Sequence, residues 1–176
     1  MNDLKRAAFK LAGEAQHVMS HFQVAQEMIL ARGYTIVEYQ FEKCLKATAV
    51  TENDVIVIFL NQKFTIMILK ELFMEYDVSR YLDFIIVTPS YIPSNIRKAS
   101  NINSNIEIFL EKELSFNILK HHLQPRMRKI PLKHKDFWPI MLETDAVAKF
   151  MKWKNEDFIE ITKRDGSVSY RIVRKV

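Results

Sequence analysis

Asp54 precedes a continuously apolar run, Val55 to Leu60, and Asn61, Gln62 and Lys63 follow it. Nucleases that cut DNA with a divalent metal on a small α/β sheet set an aspartate at one strand and a carboxylate-x-lysine on the next, because two anions must share the ion. Here the second anion is missing. Asn61 and Gln62 are neutral amides that hold Mg²⁺ weakly. The pattern therefore predicts that Asp54 opens a strand and Lys63 ends a turn, with a metal-dependent nuclease as the alternative. His121 and His122 are adjacent, so on a regular element their side chains diverge and cannot close one metal shell, and His134 has no nearby fourth partner. Ser90 and Ser94 lack a Gly-x-Ser-x-Gly context, so nothing marks a serine hydrolase. Cys44, read on a helix after Glu42 and Lys43, fits a small core residue better than a nucleophile. No cofactor and no metal is expected.

The composition narrows the classes further. A chain of 176 residues with 48% hydrophobic content can bury a core. No apolar run exceeds about six residues, far from the roughly 20 of a membrane span, so no membrane partner is expected. The opening Met1, Asn2, Asp3 and Leu4 carry no apolar export signal. One cysteine leaves no internal disulfide, and three glycines make no phosphate-cradling loop. The net charge of +5 is unevenly spread. Residues 1–118 carry 12 Lys/Arg against 14 Asp/Glu, net −2, and residues 119–176 carry 14 against 7, net +7. The densest stretch, Lys120 to Lys135, has six Lys/Arg and three histidines without a carboxylate. It suits an acidic protein surface or a nucleic-acid backbone, or else a solvated linker.

The elements that must position these residues follow from periodicity. Apolar spacing predicts helix over the first thirty residues, with Leu4, Ala8, Leu11 and Ala15 and then Phe22, Ile29 and Leu30, divided at Gly13 and ended at Gly33. A second amphipathic helix is expected from Ile36 to Lys46. Val55 to Leu60 and Phe64 to Ile66 read as a strand, a turn and a strand. Helical spacing returns over Met67 to Tyr76, a strand over Leu82 to Val87, a short helix opened by Pro93, and a strand over Ile106 to Phe109. Residues 1–118 are thus an α/β domain. Residues 119–138, basic and broken by Pro125 and Pro131, read as a linker or arm. In residues 139–176 Asp145 should cap a helix from Ala146 to Met151, and Phe158–Thr162 and Ser169–Val173 should form a hairpin around Arg164, Asp165 and Gly166. Alternation predicts Tyr170 and Ile172 inward and Arg171 outward, in a cationic outer row.

Two stretches carry a resemblance. Asn117, Ile118, His121, His122, Leu123 and Pro125, then Pro139, Asp145, Val147 and Ala148, then Phe158 to Thr162 and Ser169 to Ile172, resemble the end of the jaw and assembly subunit of eukaryotic RNA polymerases, their fifth-largest, which has a shorter archaeal counterpart. That family reads Asn-Ile-Thr-x-His-x-Leu-x-Pro, then Leu-Pro-x-Ile-x-x-x-Asp-Pro-Val-Ala, then a hydrophobic strand, a turn and Tyr-Arg. Upstream, Arg32, Gly33 and Tyr34 match the end of its first helix, and Ile92, Pro93, Ser94 and Asn95 its Thr-Pro-Ser-Ala loop. The collinear likeness runs from about Phe22 to the C-terminus. The departures are Ile140 for the family's arginine, Ala146 for its proline, and Lys152 and Glu156 for the two glycines of its turn. Met141, Leu142, Glu143 and Thr144 resemble the poxvirus version, which points to a large DNA virus.

The resemblance implies a restriction-endonuclease-like α/β jaw domain and a small α+β assembly domain, in a non-catalytic subunit for transcription. The assembly domain would dock on the largest polymerase subunit through Asn117, Ile118, His121, Leu123, Pro125, Pro139, Asp145, Val147, Ala148, Tyr170 and Arg171. The jaw would lie near downstream double-stranded DNA, with weak, nonspecific contact through Pro93, Ser94, Asn95, Arg97 and Lys98. The contrasting alternative is a degenerate or active nuclease of the restriction-endonuclease-like class. Expected locations are the cytoplasmic viral factory and virion for a viral protein, and the nucleus for a cellular one.

Overall fold

Phe22, Ala25, Met28 and Ile29 recur at three-to-four spacing, and all four are buried on the inner face of a helix over residues 21–31 (α1). Leu30 points to solvent instead. The computed structural model describes residues 21–40, 44–48, 54–100, 103–131 and 137–175. The expectations for Leu4 to Ala15, with the division at Gly13, lie outside them. Gly33 ends α1 at φ 87°, and the amides of Arg32 and Tyr34 return to the carbonyls of Met28 and Ile29 at 3.0 and 3.1 Å.

The stretch expected as a second helix is two strands, β1 (Thr35–Gln40) and β2 (Cys44–Thr48), paired antiparallel. Thr35, Ile36 and Val37 are β-branched, and in β2 burial alternates: Leu45 and Ala47 inside, Lys46 outside. Period two overrode the apparent helical spacing. Next comes β3 (Asp54–Phe59), but no hairpin follows. Phe64 is buried, and Thr65 caps a helix, α2 (Ile66–Glu75), its Oγ1 accepting from the Ile68 amide at 3.4 Å. With Phe64 to Ile66 spent on a helix start, the chain crosses over and returns as β4 (Tyr81–Thr88), parallel to β3. A second crossover through α3 (Ser94–Ser100) leads to β5 (Ile106–Leu110), parallel to β4. The sheet order is β1-β2-β3-β4-β5.

Because β3 and β4 are buried on both faces, Val55–Phe59 and Phe84–Val87 read as apolar runs. One face packs Ile56, Ile58, Phe84, Ile86 and Ile106 against Leu69 and Leu72 of α2 and Ile96 of α3. Each such side chain contributes about 1.5–3 kcal/mol by leaving water. The other face carries Val55, Val57, Ile85 and Val87, and the Phe22 ring of α1 meets Phe59 there at 5.3 Å.

The chain divides into two units, Met1–Phe116 and Asn117–Val176. The basic stretch expected as a linker belongs to the second unit and builds a strand, β6 (Arg126–Ile130). Its charges hid it. β6 is an edge strand, where Arg128 and Lys129 can stay wet while pairing with Glu160 at 2.6 Å and Asp157 at 2.7 Å. The unit continues with β7 (Ile140–Leu142), α4 (Ala146–Met151), β8 (Phe158–Thr162) and β9 (Val168–Arg174). The sheet order is β6-β8-β9-β7, with only the β7–β9 pair parallel.

Val147, Ala148 and Trp153 pack on Ile159, Ile161 and Val173. Arg171 sits opposite Ile159 in the ladder and therefore shares this helix-side face, whereas Tyr170 lies on the other, with Trp138 and Phe158. The expected inward Tyr170 and cationic outer row are thus reversed. β8 is apolar on both faces, so alternation alone could not choose between them, and the fully buried Val173 sets the parity.

Asp145 caps α4 as expected, one carboxylate oxygen accepting from the Val147 and Ala148 amides at 2.9 and 3.3 Å. Asp145→Ala should cost about 1 kcal/mol and lower the unit's Tm by roughly 4–8 °C. Calorimetry of the variant checks this.

Candidate functional site

The loop carrying Pro93, Ser94 and Asn95 leaves the carboxyl end of β4. Ile92 and Ile96 are buried and anchor it, and the Pro93 carbonyl accepts from the Ile96 and Arg97 amides, both at 3.1 Å. Ser90 Oγ accepts from the Phe64 amide at 3.2 Å, tying this loop to the start of α2. Ser94, Asn95, Arg97 and Lys98 are consequently exposed on a fixed support. Lys63 and Tyr91 lie exposed in the connections leaving the same end of the parallel strands. The surface can meet a phosphate backbone through cations and amides, without base-reading geometry.

The nuclease arrangement is not assembled. Asp54 opens β3 at its amino end, while Asn61, Gln62 and Lys63 lie beyond its carboxyl end, roughly 20 Å away at about 3.3 Å per residue. No ion bridges that span. Among the described residues no three His, Cys, Asp or Glu side chains group as metal ligands. Cys44 lies half-buried on β2 rather than on a helix. His121 and His122 occupy a turn, not a regular element, and their rings meet at 4.7 Å instead of diverging, with His121 Nδ1 accepting from the Leu123 amide at 3.2 Å. His134 lies outside the described residues.

The second unit distributes its motif residues by two kinds of work. Asn117 caps a short 3-10 turn by accepting from the Leu119 amide at 2.9 Å, and Asp145 caps α4; Ile118, Val147 and Ala148 build the core. These shape a surface without forming it. His121, Leu123 and Pro139 are exposed, Pro125 and Tyr170 are half-buried, and Arg171 Nη1 donates to the Tyr170 carbonyl at 2.9 Å.

Lys152 and Glu156, which stand where the resembled family has glycines, adopt φ 56° and 75°. They are the positive-φ residues other than glycine among those described. Lys152 closes α4, and the Glu156 amide donates to the Val173 carbonyl at 2.9 Å. The backbone keeps the left-handed turn that glycine adopts without strain, at a cost of about 1–2 kcal/mol per side-chain-bearing residue.

One cluster was not foreseen. Arg32, at the end of α1, grips Glu107 of β5 with two hydrogen bonds of 2.9 Å and reaches Asp83 of β4 at 3.3 Å, and Tyr34 donates to the same Asp83 oxygen at 3.0 Å. The Arg32 and Asp83 side chains are 2% and 0% exposed. Burial raises the Tyr34 pKa against the opposing pull of Arg32, which keeps its hydroxyl a donor. Its signal was a single carboxylate within each of two otherwise apolar strands, Asp83 and Glu107, since a buried charge needs a partner. The cluster clamps α1 to the sheet.

No protein-family profile matches the chain. Among individual proteins, it is 29% identical over 181 residues to "Putative DNA-directed RNA polymerase subunit 454R" of Invertebrate iridescent virus 6, covering 87% of this chain and 97% of that protein. The chain is similar to a viral RNA polymerase subunit. It is also 25% identical over 96 residues to "Uncharacterized protein 092R" of Invertebrate iridescent virus 3, covering 53% of this chain and 55% of that protein. At 87% of this chain, the first match is long enough to span both units. In the described residues no helix is long and apolar enough to cross a membrane.

Proposed function

We propose that this chain is a non-catalytic subunit of a multisubunit DNA-directed RNA polymerase, of the fifth-subunit jaw and assembly type, encoded by a large DNA virus. The observation that carries the reading is the likeness, over 87% of this chain and 97% of the relative, to the iridescent virus protein named as a polymerase subunit. The left-handed Lys152 and Glu156, where the resembled family has glycine, support the fifth-subunit assignment in particular. The second unit docks on the largest subunit and touches others. The first forms the lower jaw, with weak and nonspecific contact to downstream DNA through Ser94, Asn95, Arg97 and Lys98. The protein works in the cytoplasmic viral factory and is packaged in the virion.

Two measurements test the two halves. Tagged residues 117–176 should capture the largest subunit encoded in the same genome, and residues 1–116 should not; the reverse result would reassign docking to the first unit. In assembled polymerase, replacing Arg97 and Lys98 by alanine should flatten the plot of log affinity against log salt by about one unit per lost phosphate contact. An unchanged slope would remove this loop from the DNA path.

A further inference from the structure

Both strands of the hairpin β8–β9 are covered, by β6 on one side and β7 on the other. The two true edges differ sharply. β6 carries Arg126, Arg128 and Lys129, the kind of charged edge that discourages a further strand. β7 is Ile140, Met141 and Leu142, without a charge, and Ile140 and Leu142 are 61% and 46% exposed. Its pairing with β9 uses the Pro139 carbonyl, which accepts from Ile172, and the Glu143 amide, which donates to Arg174. By backbone alternation the amide and carbonyl of Ile140 and the amide of Leu142 point away from the sheet. The Leu142 carbonyl accepts from the Asp145 amide at 2.9 Å, which closes that end. What is left is a short, apolar edge on which no further strand pairs among the described residues.

We propose that β7 receives an extended strand of the polymerase's largest subunit, which adds to the sheet through Ile140 and Leu142. This inference rests on the polymerase reading above. A second copy of the chain is the weaker occupant, because a three-residue edge supplies only a small part of the ~800 Å² per partner that a stable interface buries. The incoming strand must therefore belong to a larger protein that also holds the unit elsewhere. Main-chain hydrogen bonds supply the attachment, and alternate side chains supply selectivity. A shallow depression lined by Ile140, Met141, Leu142, Thr144, Asp145 and Arg171 lies beside the edge and takes one of them.

The test is capture of the largest subunit, co-expressed from the same genome, by the full-length chain. Ile140→Lys with Leu142→Lys should weaken capture about tenfold or more, while Arg128→Glu on the opposite edge leaves it within about twofold. In the complex of the unmodified chain, amide hydrogen exchange should slow at Ile140 and Leu142 and not along β6, a readout independent of whether the variant folds. If the variant captures the subunit undiminished, or exchange at those amides is unchanged, the inference fails and the polymerase reading stands. If the unmodified chain captures no largest subunit, the polymerase reading fails and takes this inference with it. A dimer of the chain alone that the double variant dissolves would make the occupant a second copy and overturn the assignment.

Discussion

Arg32→Ala should lower the unfolding free energy of the first unit by about 3–5 kcal/mol, because it takes the guanidinium away from two buried carboxylates. Asp83 and Glu107 would keep 0% and 11% side-chain exposure with no guanidinium between them. For a unit of this size that is a fall in Tm of more than ~10 °C. Arg32→Lys should do less harm, since it keeps the charge but loses the two-pronged grip on Glu107. Urea unfolding of the three proteins followed by circular dichroism measures both. A loss under ~1 kcal/mol in the alanine variant would mean that water reaches the cluster and that α1 is held by its apolar face alone.

Phe158→Ala should unfold the second unit at physiological temperature. The ring is 2% exposed, stacks on Tyr170 at 5.4 Å with planes 8° apart, and meets Trp138 edge-on at 5.0 Å. Emptying such a site costs about 3–5 kcal/mol, and a single small core rarely supplies more than about 3–5 kcal/mol in total. The unit closes on a few buried residues around α4 and has no disulfide, its chain carrying one cysteine. Calorimetry should show the second unit's transition displaced or gone and the first unit's intact. Capture of the largest subunit should fail in the same sample. Retention of both would mean that the α4 side alone sustains the unit.

How much of this was readable in the residues depended on whether local chemistry and tertiary demand agreed. Asp145 and the Arg164–Gly166 turn were readable because cap and turn residues act within a few positions; Gly166 takes φ 82° and donates to the Lys163 carbonyl at 3.1 Å. The strands β4 and β5 were readable as apolar runs. The stretch 36–46 was misread because a few apolar residues fit both periods, and pairing with β3 decided between them. Thr65 was misread because a β-branched residue suits a strand and a helix cap alike. β6 was hidden by edge charges that an interior strand could not carry. The clamp was least accessible, because Arg32 lies 51 residues from Asp83 and 75 from Glu107, and no spacing rule spans such distances. Of the candidate site, the helix start at Pro93 was readable from the proline, while its place beside DNA is what the resemblance implies. The β7 edge appears only once the strand order is known.

The aromatic face of the second unit has an optical consequence. Both tryptophans of the chain belong to that unit, on opposite faces of one sheet: Trp138 half-buried against Phe158 and Tyr170, Trp153 buried behind α4. Tryptophan emission is therefore blind to the first unit and reports the second through two probes of different solvent access. A soluble quencher should dim Trp138 well before Trp153. With Trp153→Phe, the remaining emission becomes a single-site gauge of the face that Ile140 and Leu142 adjoin, and its colour should shift to shorter wavelength whenever a partner dries that face.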